Sequence, residues 1–150
     1  MADDPLTSRL GYLLKHAQQS FAASGAKALS PLGLNGRQLA VLAVLGSAEP
    51  LSQLAAATKL GVDRTTMVAL VDELEEKGLV ERRRSAEDRR KNIVELTPAG
   101  KGALERGNEI HKAAEAVFLA PLTPVERELF VQILQRLDEA RVGGDAEETG

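Results

Sequence analysis

The chain reads as mainly helical with one small β-hairpin, and three observations in its 150 residues point that way. Leu (23) and Ala (22), both strong helix formers, fill 45 positions. Apolar residues recur at steps of three and four over most of the length, which is the period of a one-sided helix. Two short extended segments, 79–84 and 92–96, flank a polar, charged loop. A chain of this length makes one ordinary domain, able to bury about two thirds of the surface that its unfolded form exposes.

Taken in order, Leu6, Leu10, Leu13, Leu14, Ala17 and Phe21 form the stripe of a first helix that is expected to end near Gly25. Residues 30–36 (SPLGLNG) read as a loop, and Asn35 can cap a second helix, 36–45, apolar enough to be largely buried. Ser52 can cap a short third helix, 53–59, which Gly61 closes by taking the left-handed conformation that other residues resist. Asp63 caps a fourth. Within it Met67, Leu70, Val71 and Leu74 face the core, while Arg64, Thr65, Val68, Ala69 and Asp72 point elsewhere, and Gly78 stops the helix. The two extended segments then form a hairpin with a long tip, Val94 and Leu96 facing inward. Thr97 and Pro98 supply a cap and a first-turn proline for a helix from 98 to about 120, whose start Gly100, Gly102 and Gly107 weaken. Thr123, Pro124 and Glu126 make a capping box for a last helix to about 141, with Val125, Leu129, Ile133, Leu137 and Ala140 on one face. Residues 142–150 read as a disordered acidic tail.

Composition excludes several kinds of chemistry. Zero Cys removes disulfides, thiolate metal ligands and cysteine nucleophiles together. The two histidines, His16 and His111, are far apart in sequence, and His111 with Glu115 lacks the second histidine of a zinc-hydrolase helix. Gly100-Lys101-Gly102 is no phosphate-binding loop, because the earlier glycine is absent. No catalytic residue, metal or cofactor is therefore expected. Tyr12, Phe21, Phe118 and Phe130 are too few for the stacking platforms that read single-stranded nucleic acid. Residues 1–7 carry no leader, and the longest apolar run, 39–45, is far below the roughly 20 residues that span a bilayer, so a cytoplasmic protein with no membrane partner is expected.

The net charge of −3 conceals an asymmetry. Residues 81–91, ERRRSAEDRRK, set Arg82, Arg83, Arg84, Arg89, Arg90 and Lys91 against Glu81, Glu87 and Asp88, a local +3, so the rest of the chain sums to −6. A concentrated positive segment on an acidic body suits a small anion-binding surface, and a duplex is the obvious polyanion.

Two short helices joined by the tight Leu60-Gly61-Val62 turn and followed by a basic hairpin match the winged helix-turn-helix arrangement. The first turn of the second helix, with Asp63, Arg64, Thr65, Thr66 and Val68, is then placed to enter the major groove of double-stranded DNA. Gln53 either donates to a phosphate or is an ordinary exposed glutamine. A hairpin arm of five or six residues reaches on the order of 15 to 20 Å, enough to set Arg84, Arg89, Arg90 and Lys91 against the neighbouring minor groove. Tyr12, Lys15 and His16 could line a site for a small aromatic acid, or Tyr12 could serve a subunit interface with His16 hydrated; Arg37 and His111 are further candidates of the same kind.

Residues 51–100, LSQLAAATKLGVDRTTMVALVDELEEKGLVERRRSAEDRRKNIVELTPAG, resemble the multiple antibiotic resistance regulator (MarR) family of bacterial transcription factors. The most specific part is Asp88-Arg89-Arg90 followed by Val94-x-Leu96-Thr97-x-x-Gly100, which looks like the family's wing signature. The resemblance implies that Arg90 is the minor-groove finger and Asp88 the carboxylate that orients it. It implies a single domain over 1–141, with a winged lobe at about 35–100, dimerisation helices at 6–28 and 101–141, and a small-molecule cleft between the two regions. Val68 and Ala69 stand where the family often places serine and arginine, so a thymine methyl or groove shape is expected to be read there, with more affinity from the wing. The function this implies is a homodimeric, sequence-specific repressor of transcription, released from a near-palindromic operator by an aromatic or phenolic ligand. Another reading is a protein-interaction module whose basic hairpin docks an acidic partner.

Overall fold

The computed structural model describes residues 5–47 and 49–147. Its elements are α1 (Leu10–Leu29), a 3-10 turn (Ser30–Leu32), α2 (Gly36–Leu45), β1 (Leu51–Ser52), α3 (Gln53–Leu60), α4 (Arg64–Glu76), β2 (Val80–Arg84), β3 (Asn92–Leu96), α5 (Pro98–Phe118) and α6 (Pro124–Glu147). They group into two compact units that part between Glu115 and Ala116. Mainly helical architecture with a small antiparallel sheet is what the sequence leads one to expect. Among the described residues, no single helix is long and apolar enough to cross a membrane.

In the first unit the caps form where the local chemistry puts them. Asn35 Oδ1 accepts from the Gln38 amide at 2.9 Å, and Gln38 Oε1 accepts from the Asn35 amide at 3.2 Å, a reciprocal box that satisfies two donors at the start of α2. Ser52 Oγ accepts from Ala55 N–H at 3.1 Å to start α3. Gly61 then takes φ 66°, turning the chain left-handed into α4. One stripe of α4 (Met67, Leu70, Val71 and Leu74) is buried with Val41 and Leu42 of α2, Leu29 of α1, and Val80 and Val94 of the hairpin. The sheet has one strand more than the sequence suggests. Leu51 and Ser52 pair with Val94 and Ile93, giving the order β1-β3-β2, so the hairpin is anchored along both edges of its central strand.

Both ends of the first helix differ from expectation. The first helix begins at Leu10, leaving Leu6 in a preceding turn, and it runs through Gly25 to Leu29. Gly25 does not terminate it; the residue is buried inside the helix, and a Cβ there would lie 3.9 Å from the His111 ring, an ordinary contact distance. Gly100 and Gly107 of α5 do make room for neighbours, the first for the Leu79 backbone and the second for the Leu39 side chain. Thr97 Oγ1 accepts from the Gly100 amide at 3.0 Å while donating to the Gly78 carbonyl at 2.6 Å. That draws α5 so close to the hairpin's root that a Cβ on Gly100 would stand 1.9 Å from the Leu79 carbonyl oxygen.

The second unit holds the end of α5 and α6. Thr123 Oγ1 accepts from Glu126 N–H at 3.2 Å and Glu126 Oε1 accepts from Thr123 N–H at 2.9 Å, so the expected capping box is in place. Val125, Leu129, Ile133 and Leu137 remain exposed along α6. The helix continues to Glu147, so residues 142–147 are helical and not the disordered tail expected, even though Gly143 and Gly144 among them are poor helix formers. Residues 148–150 of that tail, and residues 1–4 of the segment read as leaderless, lie outside the described residues.

Two alanine substitutions in α5 should act with opposite signs. Gly100→Ala drives a methyl group into backbone and should cost at least about 2 kcal/mol of stability. Gly102→Ala meets only the flexible end of Arg106, 3.3 Å away, and should gain up to about 1 kcal/mol from helix propensity. Urea unfolding followed by circular dichroism checks both.

Candidate nucleic-acid interface

Burying one stripe of α4 commits the opposite one to solvent. Arg64, Thr65 and Ala69 are exposed there, with Thr66 and Val68 half-buried beside them. Asp63 holds the first turn of this helix. Its Oδ1 accepts from Thr66 N–H at 2.6 Å, and bonds from the Thr66 side chain and backbone hold the carboxyl below its ordinary 3.8. Asp63 is thus engaged as a cap, and through that cap it sets where Arg64, Thr65 and Thr66 project.

The hairpin tip is built by a second set of local bonds. Ser85 Oγ accepts from the amides of Glu87 and Asp88, both at 3.3 Å. Ser85 N–H donates to the Lys91 carbonyl and Lys91 N–H to the Asp88 carbonyl, each at 3.0 Å. Asp88 Oδ1 accepts from the backbone amide of Arg90 at 3.1 Å. The bond between the residue expected to orient Arg90 and Arg90 itself is thus to the Arg90 backbone. Sequence reasoning missed Ser85, although a serine two and three residues before the amides it receives is the ordinary signal of a side-chain turn.

The six basic residues of the segment divide into two groups. Arg82 meets Asp72 at 2.7 Å and Glu75 at 3.2 Å, and Arg83 meets Glu95 at 2.7 Å. Arg84, Arg89, Arg90 and Lys91 are exposed and form no ion pair among the described residues. Arg90 and Lys91 join Gln53 and Arg64 around a recess of about 210 Å³, which Leu54, Ala57 and Met67 also line. Three separate parts of the chain (α3, α4 and the hairpin) therefore bring four of the sequence-read candidates to one place, and no carboxylate lines it.

The residues read as effector candidates are not lining that recess. Tyr12 and His16 stack on each other, ring centres 4.0 Å apart, with Lys15 exposed between them in sequence. His111 stands edge-on to Phe21 at 5.3 Å, and Arg37 is exposed on the first turn of α2. Among the described residues no group of three His, Asp or Glu is placed to hold a metal ion.

Comparison with known proteins bears on what this face does. Residues 32–91 match the family model described as MarR family. The chain is 31% identical over 137 residues to the HTH-type transcriptional repressor Rv2887 of Mycobacterium tuberculosis, spanning 91% of this chain and 96% of that protein. It is similar to the transcriptional repressor CouR bound to a 23-mer DNA duplex, at 31% identity and TM-score 0.86, over 92% of this chain and 98% of the other. It is also similar to CouR from Rhodococcus jostii RHA1 bound to p-coumaroyl-CoA, at 30% identity and TM-score 0.78, over 88% and 93% of the two chains.

The Asp63 cap has a pH signature. A carboxyl held below its ordinary value when folded adds stability above the unfolded value, near 4, and that stability is lost as pH falls through the lower folded value. Asp63→Asn keeps a capping oxygen but not the charge. The variant should therefore be less stable than the parent at neutral pH, with the gap closing as the solution is acidified below about pH 4, as thermal melts across that range will show.

Proposed function

The chain belongs to the MarR family of transcriptional regulators, and from that premise we propose that it is a cytoplasmic homodimeric repressor that binds a near-palindromic operator through two winged lobes. The observation that carries this reading is the recess where Gln53, Arg64, Arg90 and Lys91 converge beside the exposed stripe of α4. In the proposed complex Arg64, Thr65, Thr66 and Val68 face base edges in the major groove. Gln53, Arg84, Arg89 and Lys91 take backbone phosphates, and Arg90 enters the minor groove, where the negative potential is deepest. Asp63 and Asp88 act by holding backbone, the first by accepting from the Thr66 amide and the second from the Arg90 amide.

The domain assignment follows from the same proposal: a DNA-binding lobe over 35–100 and dimerisation helices over 6–28 and 101–141. Exposed leucines at 6, 10, 13 and 14, and the exposed face of α6, support a second copy as their cover. Two recognition helices then need to lie about one turn of B-DNA apart, some 34 Å. A ligand that favours another lobe spacing by about 1.4 kcal/mol lowers DNA affinity tenfold. A small aromatic or phenolic effector is proposed for that role, on the strength of the CouR complex with p-coumaroyl-CoA, with Tyr12, Lys15, His16, Arg37 and His111 as its candidate contacts.

Sedimentation and duplex binding test the proposal together. The protein should sediment as a dimer and select one palindromic duplex from a random pool. With about six phosphates neutralised per dimer, affinity should fall on the order of a thousandfold between 50 and 200 mM salt. A monomer, or a shallow salt slope with no preferred duplex, would leave the acidic-partner reading in its place. Arg90→Ala should weaken operator binding by about 1 to 3 kcal/mol without changing the melting temperature.

A further inference from the structure

Arg82 belongs by sequence to the basic hairpin, yet the fold turns it inward, leaving its side chain only 19% exposed. It stands on β2 opposite Val94, in register with the sheet's buried centre. From there its guanidinium reaches three partners on α4: Asp72 Oδ1 at 2.7 Å, Glu75 Oε1 at 3.2 Å and the carbonyl oxygen of Val68 at 3.3 Å. Its Nε donates to Gln53 Oε1 of α3 at 3.2 Å, and its own backbone amide donates to Glu75 Oε2 at 3.2 Å. One planar cation thus laces together both helices of the helix-turn-helix and the strand that leads to the wing.

The partners are not placed at random along α4. Val68, Asp72 and Glu75 follow one another at helical spacing on a single ridge, and Val68 is among the residues read as facing bases. Gripping that ridge from β2 sets the angle between recognition helix and hairpin. It also neutralises two carboxylates that would otherwise face phosphates. Holding Gln53 by its oxygen fixes which way its NH₂ end faces, and that end is the donor a phosphate needs.

We propose that Arg82 is a positioning residue: it touches no DNA, and by locking β2 to α4 and α3 it makes wing and recognition helix engage one operator at once, so that it determines discrimination between sequences. This rests on the DNA-binding reading above. Non-specific binding needs only exposed cations at the surface, whereas specific binding needs both elements in one fixed relation. Loss of the clamp should therefore cost the second and spare the first.

The experiment uses the full-length protein, a duplex that it selects from a random pool, and a scrambled duplex of the same length and composition. Binding of each is followed by fluorescence anisotropy across salt, with amide hydrogen exchange on the free protein. In Arg82→Gln, operator affinity should drop about tenfold and scrambled-duplex affinity less than about twofold, with an unchanged salt slope. Exchange in β2 and β3 should quicken without DNA present. Arg82→Lys, which keeps the charge but not the fork, should behave like Arg82→Gln. The double variant Asp72→Asn with Glu75→Gln, at exposed positions, should reproduce the loss of discrimination even if the Arg82 variants fold poorly. Equal weakening of both duplexes, with a salt slope lower by about 0.9 for each phosphate no longer neutralised, would make Arg82 a phosphate ligand and overturn the proposal. Unchanged discrimination in the double variant would overturn it as well. Failure of the parent protein to prefer any duplex would sink the DNA reading instead, and is seen before any variant is compared.

Discussion

Burial of Met67, Leu70, Val71 and Leu74 fixes the rotation of α4 about its own axis, and the rest of the molecule's DNA-facing geometry depends on it. Each such side chain gains about 1.5 to 3 kcal/mol by leaving water, so turning the helix by one residue would expose most of that gain at once. The same core holds Val80 and Val94, one on each strand of the hairpin. Recognition helix and wing root are therefore two ends of one packed object. What reaches outward from it, Arg64 and Thr65 on one side and Arg84 on the other, is set by what is held inward.

Charge is apportioned along β2 by the strand's period of two. Arg83 points to the face where Glu95 waits across the sheet, while Arg82 points to α4 and meets Asp72 and Glu75. Exposed pairs such as Arg83–Glu95 contribute at most about 1 kcal/mol each. Arg82 differs, because it is mostly covered and shares one guanidinium among four side-chain or carbonyl oxygens. The local excess of cations counted along the segment thus overstates the field at its base and understates its concentration at the tip, where Arg84, Arg89, Arg90 and Lys91 are left unpaired among the described residues.

What could be read from the sequence was whatever depends on near neighbours. Asn35, Ser52, Asp63 and Thr123 cap helices through bonds that span three residues, and each is visible in the order of side chains alone. The four-residue stripe of α4 is legible for the same reason. β1 was not, because two residues carry no pattern of their own and become a strand only by meeting Ile93 and Val94. Gly100 reads in sequence as a weak point of its helix, whereas its meaning lies in the Leu79 carbonyl, to which a side chain there would be driven. At the site, residue type marked out Gln53, Arg64, Arg90 and Lys91 one by one. That they border a single recess, and that Arg82 is withdrawn from the basic group, are long-range facts that no window of the chain contains.

The apolar face of α6 adds a second constraint to the proposed scheme. Val125, Leu129, Ile133 and Leu137 lie in one row, each at least 45% exposed, on a helix of 24 residues. A row of that kind gains little from water on its own, since helices in proteins draw most of their stability from packing an apolar face. If a second copy supplies the cover, folding of this helix and pairing of subunits are a single equilibrium, and its position depends on protein concentration. Operator binding then inherits the same dependence, because only the paired state presents two recognition helices at a fixed spacing. Control over DNA occupancy would accordingly have two separable handles: the spacing of lobes within a dimer, which is where the proposed ligand would act, and the supply of dimers, which rises and falls with the amount of chain.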